Sequence, residues 1–159
     1  MKDDRKIIPE KIHVIDIKTL KGNIEDGADE GEIPKKVAAY RFEHTLGTGT
    51  NLEEKMVALR LTINIIGLDK DEQETGAKGS YTHNITFVVD NLDEFIDVDP
   101  ETNEVKDMDM MMGGTLVGIA YSTIRGIIYN RTQSTALNAV ILPVIDPKEL
   151  LKIDDGNIK

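Results

Sequence analysis

At 159 residues and 40% hydrophobic content, the chain has apolar material for one globular core and too little for two full domains. A formal charge of -10 repels nucleic-acid phosphate and anionic lipid, and 4% aromatics with no Trp supply no base-stacking platform. The absence of cysteine removes any disulfide framework and any thiolate chemistry, and fits a reducing compartment.

The opening MKDDRKIIPEKI is charged and has no apolar h-region of a secretory signal. Uninterrupted apolar runs are short throughout, so the sequence predicts no bilayer-spanning segment and a cytosolic location. Residues 11–18, KIHVIDIK, have strand composition. Ile12 and Val14 share one parity, Ile15 and Ile17 the other. That predicts either a strand covered on both faces or a bulge that switches them. Residues 22–34, GNIEDGADEGEIP, predict a mobile acidic loop ended by Pro34.

Three runs then alternate with a period of two: VAAYRFEHTL (37–46), KMVALRLTINII (55–66) and YTHNITFVVD (81–90). Such alternation marks a half-exposed antiparallel sheet. Leu59, Leu61, Ile63, Tyr81, Ile85 and Phe87 are expected to face the helices, and Arg60, Thr62, Thr82 and Asn84 the other side. The connections 47–54 and 67–80 are polar and contain glycine, as hairpin loops do. The second is long for a hairpin.

Residues 90–109 hold nine acids against one Lys106, with a turn of helix expected after Asn91 and a second mobile acidic loop over 97–107. From Thr115, a plausible N-cap, the period changes. Leu116, Ile119, Ala120, Thr123, Ile124, Ile127 and Ile128 lie on one helical face, which predicts a helix over 115–131. An apolar crossover over 132–146 follows. A short helix over 147–152 has Asp146 as N-cap and Pro147 at its first position. The remaining IDDGNIK is expected to fray. The order of elements gives an α+β class: one domain over 1–159, built as a four-stranded antiparallel sheet with two C-terminal helices packed on one face.

Searches for chemistry return negatives. His13, His44 and His83 all lie in predicted strands at no zinc spacing, and read as structural histidines. The acidic run from Asp97 has Thr102 where a calcium loop needs Gly, and Met108 where it needs Glu. Gly47-Thr48-Gly49-Thr50 lacks the lysine of a phosphate loop. With no base, nucleophile and oxyanion donors to assemble, the sequence predicts no catalytic residue, no metal ligand, no cofactor and no enzyme activity.

The C-terminal third carries a family signal. Asn130-Arg131 follows the amphipathic helix, then Leu137-Asn138, then Pro143-Val144 leading into a short helix with Leu150. Together with Leu59-Arg60-Leu61-Thr62-Ile63 in the third strand, this resembles the protein-export chaperone SecB over roughly residues 11–151. The resemblance implies a homotetramer, a dimer of dimers, that holds unfolded or precursor polypeptides in apolar grooves without nucleotide and delivers them to the SecA motor. It places a client groove at Leu116, Ile119, Leu137, Val140, Ile141 and Leu142, and partner docking at Asp16 in the first strand. No nucleic acid and no membrane insertion are implied.

Three departures fall between Arg131 and Pro143, and two more bear on docking. The family has Gly after Arg where this chain has Thr132, and Phe-Pro before Leu-Asn where this chain has Thr135-Ala136. More residues separate Asn138 from Pro143 than in the family. Asn84 stands where the fourth strand of the family carries a docking acid, and the tail is short. The alternative is therefore a SecB-like adaptor, or an antitoxin-dedicated chaperone with one specific protein partner and no general client binding.

Overall fold

The computed structural model describes residues 4–152 and 154–157. Four long strands come first: β1 (Ile12–Glu25), β2 (Ala39–Asn51), β3 (Met56–Leu68) and β4 (Glu74–Val89). They pair antiparallel in the order β1-β4-β3-β2. Leu59, Leu61, Ile63, Tyr81, Ile85 and Phe87 are all buried on the helix side. Arg60, Thr62, Thr82 and Asn84 alternate with them on the open face, where Thr62 and Thr82 share a 2.9 Å hydroxyl hydrogen bond.

The strands are longer than their apolar patterns. Residues 22–25, expected in a loop, belong to β1 and pair with 78–81 of β4. Tyr81 explains this in part: a Cβ on Gly22 would stand 3.3 Å from its ring, so the glycine makes room for the aromatic across the ladder. The expected long connection over 67–80 is a tight hairpin. The Asp69 carboxylate accepts from the backbone of Asp71 (2.8 Å) and Gln73 (3.0 Å) and closes the turn locally. Polar and glycine residues extend these strands because backbone groups, not side chains, make the ladder.

The acidic segment 97–107 is also ordered more than expected. β5 (Ile96–Val98) and β6 (Val105–Met108) form a second, two-stranded sheet. Its turn is held by Asp99, which accepts from the backbone of Glu101 (2.8 Å) and pairs with Lys106 at 3.2 Å. These contacts, the Glu101 hydrogen bond first, hold the Asp99 carboxyl below the ordinary carboxylate range. A 3₁₀ turn, Leu92–Phe95, lies just before β5 and buries Leu92 and Phe95.

Helix α1 (Met110–Arg131) begins five residues before its expected start, because the N-cap is Asp109 and not Thr115. The Asp109 carboxylate accepts from Met111 N at 2.8 Å and Met112 N at 3.3 Å. Thr115 lies inside the helix and returns its hydroxyl to Met111 O. Leu116, Val117, Ala120, Tyr121, Ile124 and Ile128 press its inner stripe onto β3 and β4. By length and composition alone α1 could cross a bilayer, which corrects the expectation of no such segment. Its buried inner stripe is that of a core helix.

A crossover returns over the sheet after α1, turning through residues with positive φ at Ser134, Asn138 and Ala139. Then α2 (Pro147–Leu151) starts with Asp146 accepting from Lys148 N at 2.9 Å. α2 lies against a small-residue stripe of α1. A Cβ on Gly113 would meet Leu151 Cδ1 at 3.1 Å, and one on Gly118 would meet Pro147 at 3.4 Å. These glycines are thus the seat of the second helix.

The segment expected to fray contains a strand. β7 (Asp154–Asn157) pairs parallel with the outer edge of β2, so the main sheet has five strands in the order β1-β4-β3-β2-β7. Ile153, Ile158 and Lys159 lie outside the described residues.

Candidate functional site

The residues expected to form a groove divide sharply. Leu116, Leu137, Val140 and Leu142 are sealed in the core, none more than 2% exposed. Leu116 sits on the inner stripe of α1. Within the crossover Val140 and Leu142 are buried while Ile141 between them is exposed. Ile119 is partly buried against the core, and Ile141 is 62% exposed, next to exposed Pro143 and Val144. The crossover is pinned by tyrosines: Tyr40 donates its hydroxyl to Leu137 O, and Tyr121 donates to Pro143 O at 2.6 Å. Burial raises both phenols above their ordinary pKa, so they stay donors.

Asp16 lies half-buried on the open sheet face, 3.5 Å from Lys18. Its cross-strand neighbourhood includes Thr86, and Lys18 stands opposite Asn84. A further ion pair on this face, Lys78 with Glu25 at 3.5 Å, makes it mixed in charge and not acidic.

The apolar surface lies elsewhere. Register shifts after Val14 and after Thr19 set Ile15 and Leu20 out of the β1 ladder. Ile12, Val14 and Ile17 therefore face the helix side together, opposite Val89, Phe87 and Ile85. Helix α1 does not reach far enough to cover them, and Val14, Ile15, Ile17 and Leu20 are each about half exposed. The sequence signal was present in the mixed parity of KIHVIDIK. Which side of the sheet the helix would leave bare was not.

The second feature is an open cleft of about 840 Å³ at the other end of the sheet. The end of β2 from Thr48 to Asn51, with Leu52 just after it, forms one wall and β6, from Val105 to Met108, the other. Met110 of α1 and Leu151 of α2 supply the accessible apolar floor, with Gly113, Leu116 and Leu59 buried beneath them. Glu104 and Asp107 stand at the acidic rim with Lys106. Sequence reasoning missed this cleft because its walls are three segments distant in the chain.

His44 and His83 lie on the core side of the sheet, where His83 stacks on Tyr81 and His44 packs against Tyr121. His83 is fully buried, and among the described residues neither ring nitrogen has a hydrogen-bond partner. Burial lowers the pKa of both rings, and the Arg131 charge adds to the effect at His83. His13 is exposed at the surface, 3.1 Å from Asp90. Among the described residues no group of three or more His, Asp or Glu converges in a geometry that could hold a metal ion. What the arrangement offers is apolar contact and an acidic rim.

A four-stranded antiparallel sheet covered on one face by a long helix, a returning crossover and a short helix is a SecB-like fold. Comparison with solved structures gives the same answer. The Mycobacterium tuberculosis SecB-like chaperone Rv1957, solved in complex with a ChAD peptide from the Rv1956 HigA1 antitoxin, superposes with a TM-score of 0.58 at 16% identity. The match covers 86% of this chain and 91% of that one. A Streptococcus agalactiae protein of unknown function aligns more loosely, with a TM-score of 0.41 at 12% identity over 84% of this chain and 97% of that one. No protein-family model matches the sequence, and no curated protein matches it.

Proposed function

We propose that this protein is an ATP-independent holdase that binds unfolded polypeptides in extended form and acts in the cytosol. The observation that carries the reading is apolar surface left uncovered by a SecB-like fold, at Ile141 and Val144 of the crossover and in the cleft beside β2. A chain that exposes apolar and basic side chains would be met by both the cleft floor and its acidic rim. The solved neighbour Rv1957 holds an antitoxin peptide, which supports polypeptide as the ligand class.

The exposed apolar side chains of β1 have a different role in this reading. An edge strand with four half-exposed aliphatic residues is a template for association. We assign it to contacts between copies, with the outer face of α1 joining pairs into a homotetramer.

A second reading is a dedicated chaperone with one specific partner, such as an antitoxin. The antitoxin peptide on Rv1957 favours it, as does the mixed charge of the open sheet face around Asp16 and Asn84, which suits the SecA motor poorly. The deciding experiment is light scattering of an aggregating unfolded protein, in nucleotide-free buffer, with the mass of this protein taken from the same sample. Suppression near stoichiometric ratio by a tetramer is the expected result. A clean tetramer without suppression sinks the general holdase and leaves the dedicated reading.

A further inference from the structure

The outer edge of β2 is occupied by the chain itself. β7 pairs there only around Leu46 and Thr48, with a break in register between the two pairs: Leu46 stands opposite Asp154 and Thr48 opposite Asn157. The rest of β2, before Leu46 and after Thr48, has no strand on that side among the described residues. The occupant is a poor strand. Asp154-Asp155-Gly156-Asn157 is made of residue types depleted from sheets, and a parallel pairing this short and irregular adds little stability of its own. The segment is nevertheless held close, because α2 ends at Leu151 on the cleft wall and the β2 wall begins at Thr48. Tethering of this kind gives a weak ligand a high effective concentration.

We propose that the segment 154–157 is a built-in competitor that occupies the β2 edge until an extended polypeptide with better strand-forming residues displaces it. This rests on the polypeptide-binding reading above and adds a gate to it. The displaced segment is acidic, as is the cleft rim at Glu104 and Asp107, so the displacing partner is an extended segment with alternating apolar and basic side chains. Two consequences follow from the pairing. The bare edge strand is shielded from non-specific association while no client is present. Binding is also weakened by the fraction of molecules in which the edge is taken, so a segment docked for most of the time lowers apparent affinity by about three- to tenfold.

The test uses the full chain, whose lack of cysteine permits a single engineered cross-link. A Thr48→Cys/Asn157→Cys variant pins the segment to β2 when oxidised and frees it when reduced. The probe is fluorescein-labelled, carboxymethylated α-lactalbumin, which stays unfolded, followed by anisotropy. The oxidised form should bind at least about tenfold more weakly than the same sample after reductant. A second variant, Asp155→Pro/Gly156→Pro, removes two consecutive N–H groups, one of which must face β2, and should bind several-fold more tightly than the unaltered chain. Equal affinity in oxidised and reduced samples overturns the gate and leaves the holdase standing. Failure of the two cysteines to join under oxidant also overturns the gate, because the pairing would not exist in solution. Absence of binding by every form overturns the holdase reading, and the gate with it.

Discussion

Thr132 and Val140 are joined across the chain reversal that follows α1. The Thr132 hydroxyl accepts from Val140 N–H at 3.0 Å and donates to Ile128 O at 2.9 Å, while Thr132 O accepts from Ala139 N–H at 2.9 Å. One fully buried threonine thus ends the helix and anchors the crossover. It also accounts for a departure from the SecB pattern. Thr132 has φ -91 and ψ -3, ordinary right-handed backbone, so no glycine is needed there. The reversal falls on Ser134, Asn138 and Ala139 instead.

Thr132→Val keeps the shape of the side chain and deletes the hydroxyl. The buried Val140 N–H then loses its acceptor, which costs about 1–3 kcal/mol in urea unfolding. Thr132→Ser restores the oxygen and should recover most of that loss.

His83 sets a pH dependence. Its unfolded-state pKa is near 6.5, the ordinary imidazole value, and burial followed by the Arg131 charge lowers it in the folded protein. Above that value both states are neutral and the residue contributes no slope. As pH falls below 6.5 the unfolded chain takes up a proton that the native ring declines, so stability falls. The slope approaches about 1.4 kcal/mol per pH unit for the one ring until the folded pKa is reached. His44, lowered by burial, acts in the same direction. Thermal unfolding between about pH 7 and pH 5, above most of the carboxylate range, should show the loss, and His83→Leu should flatten it.

Two glycines of α1 should respond in opposite ways. Gly113 faces Leu151 of α2 with 3.1 Å left for a Cβ, so Gly113→Leu overpacks the seat and costs about 1–3 kcal/mol. Gly126 has nothing within 4 Å, and Gly126→Ala should stabilise the helix by about 0.5–1 kcal/mol. Differential scanning calorimetry reads both. A loss at Gly126 would instead mark that face of α1 as covered by another copy.

Val14 and Ile17 are half exposed within one chain, so an acid there removes little core packing. Val14→Asp/Ile17→Asp should leave circular dichroism unchanged and reduce the mass measured by light scattering with size-exclusion. An unchanged mass would count against β1 as the contact between copies.

The legible parts of this protein are those with a period. Leu59-Leu61-Ile63 and Tyr81-Ile85-Phe87 alternate, and both sets line the core. Leu116, Ala120, Ile124 and Ile128 recur at helical spacing, and all are buried. The errors fall where a backbone ladder or a distant partner decided the outcome. Residues 22–25 look like loop and are strand because β4 offers them a ladder. Gly113-Gly114 precedes the expected helix start at 115 and is helix because Asp109 caps it and α2 lies against it. Within the crossover, the packing of one chain buries Leu137, Val140 and Leu142 and leaves Ile141 exposed, a division with no signal in the sequence.

By itself, then, the sequence determined the class of fold, the faces that β3 and β4 turn inward, and the helix that covers the sheet. Those follow from burial of apolar side chains at fixed periods, which is local information. Only the tertiary structure decided what stays uncovered: β1 beyond the reach of α1, a cleft walled by β2 and β6, and a β2 edge taken by the segment after α2. Uncovered surface depends on how far each element extends over its neighbours, and that is a property of their packing, not of any one segment.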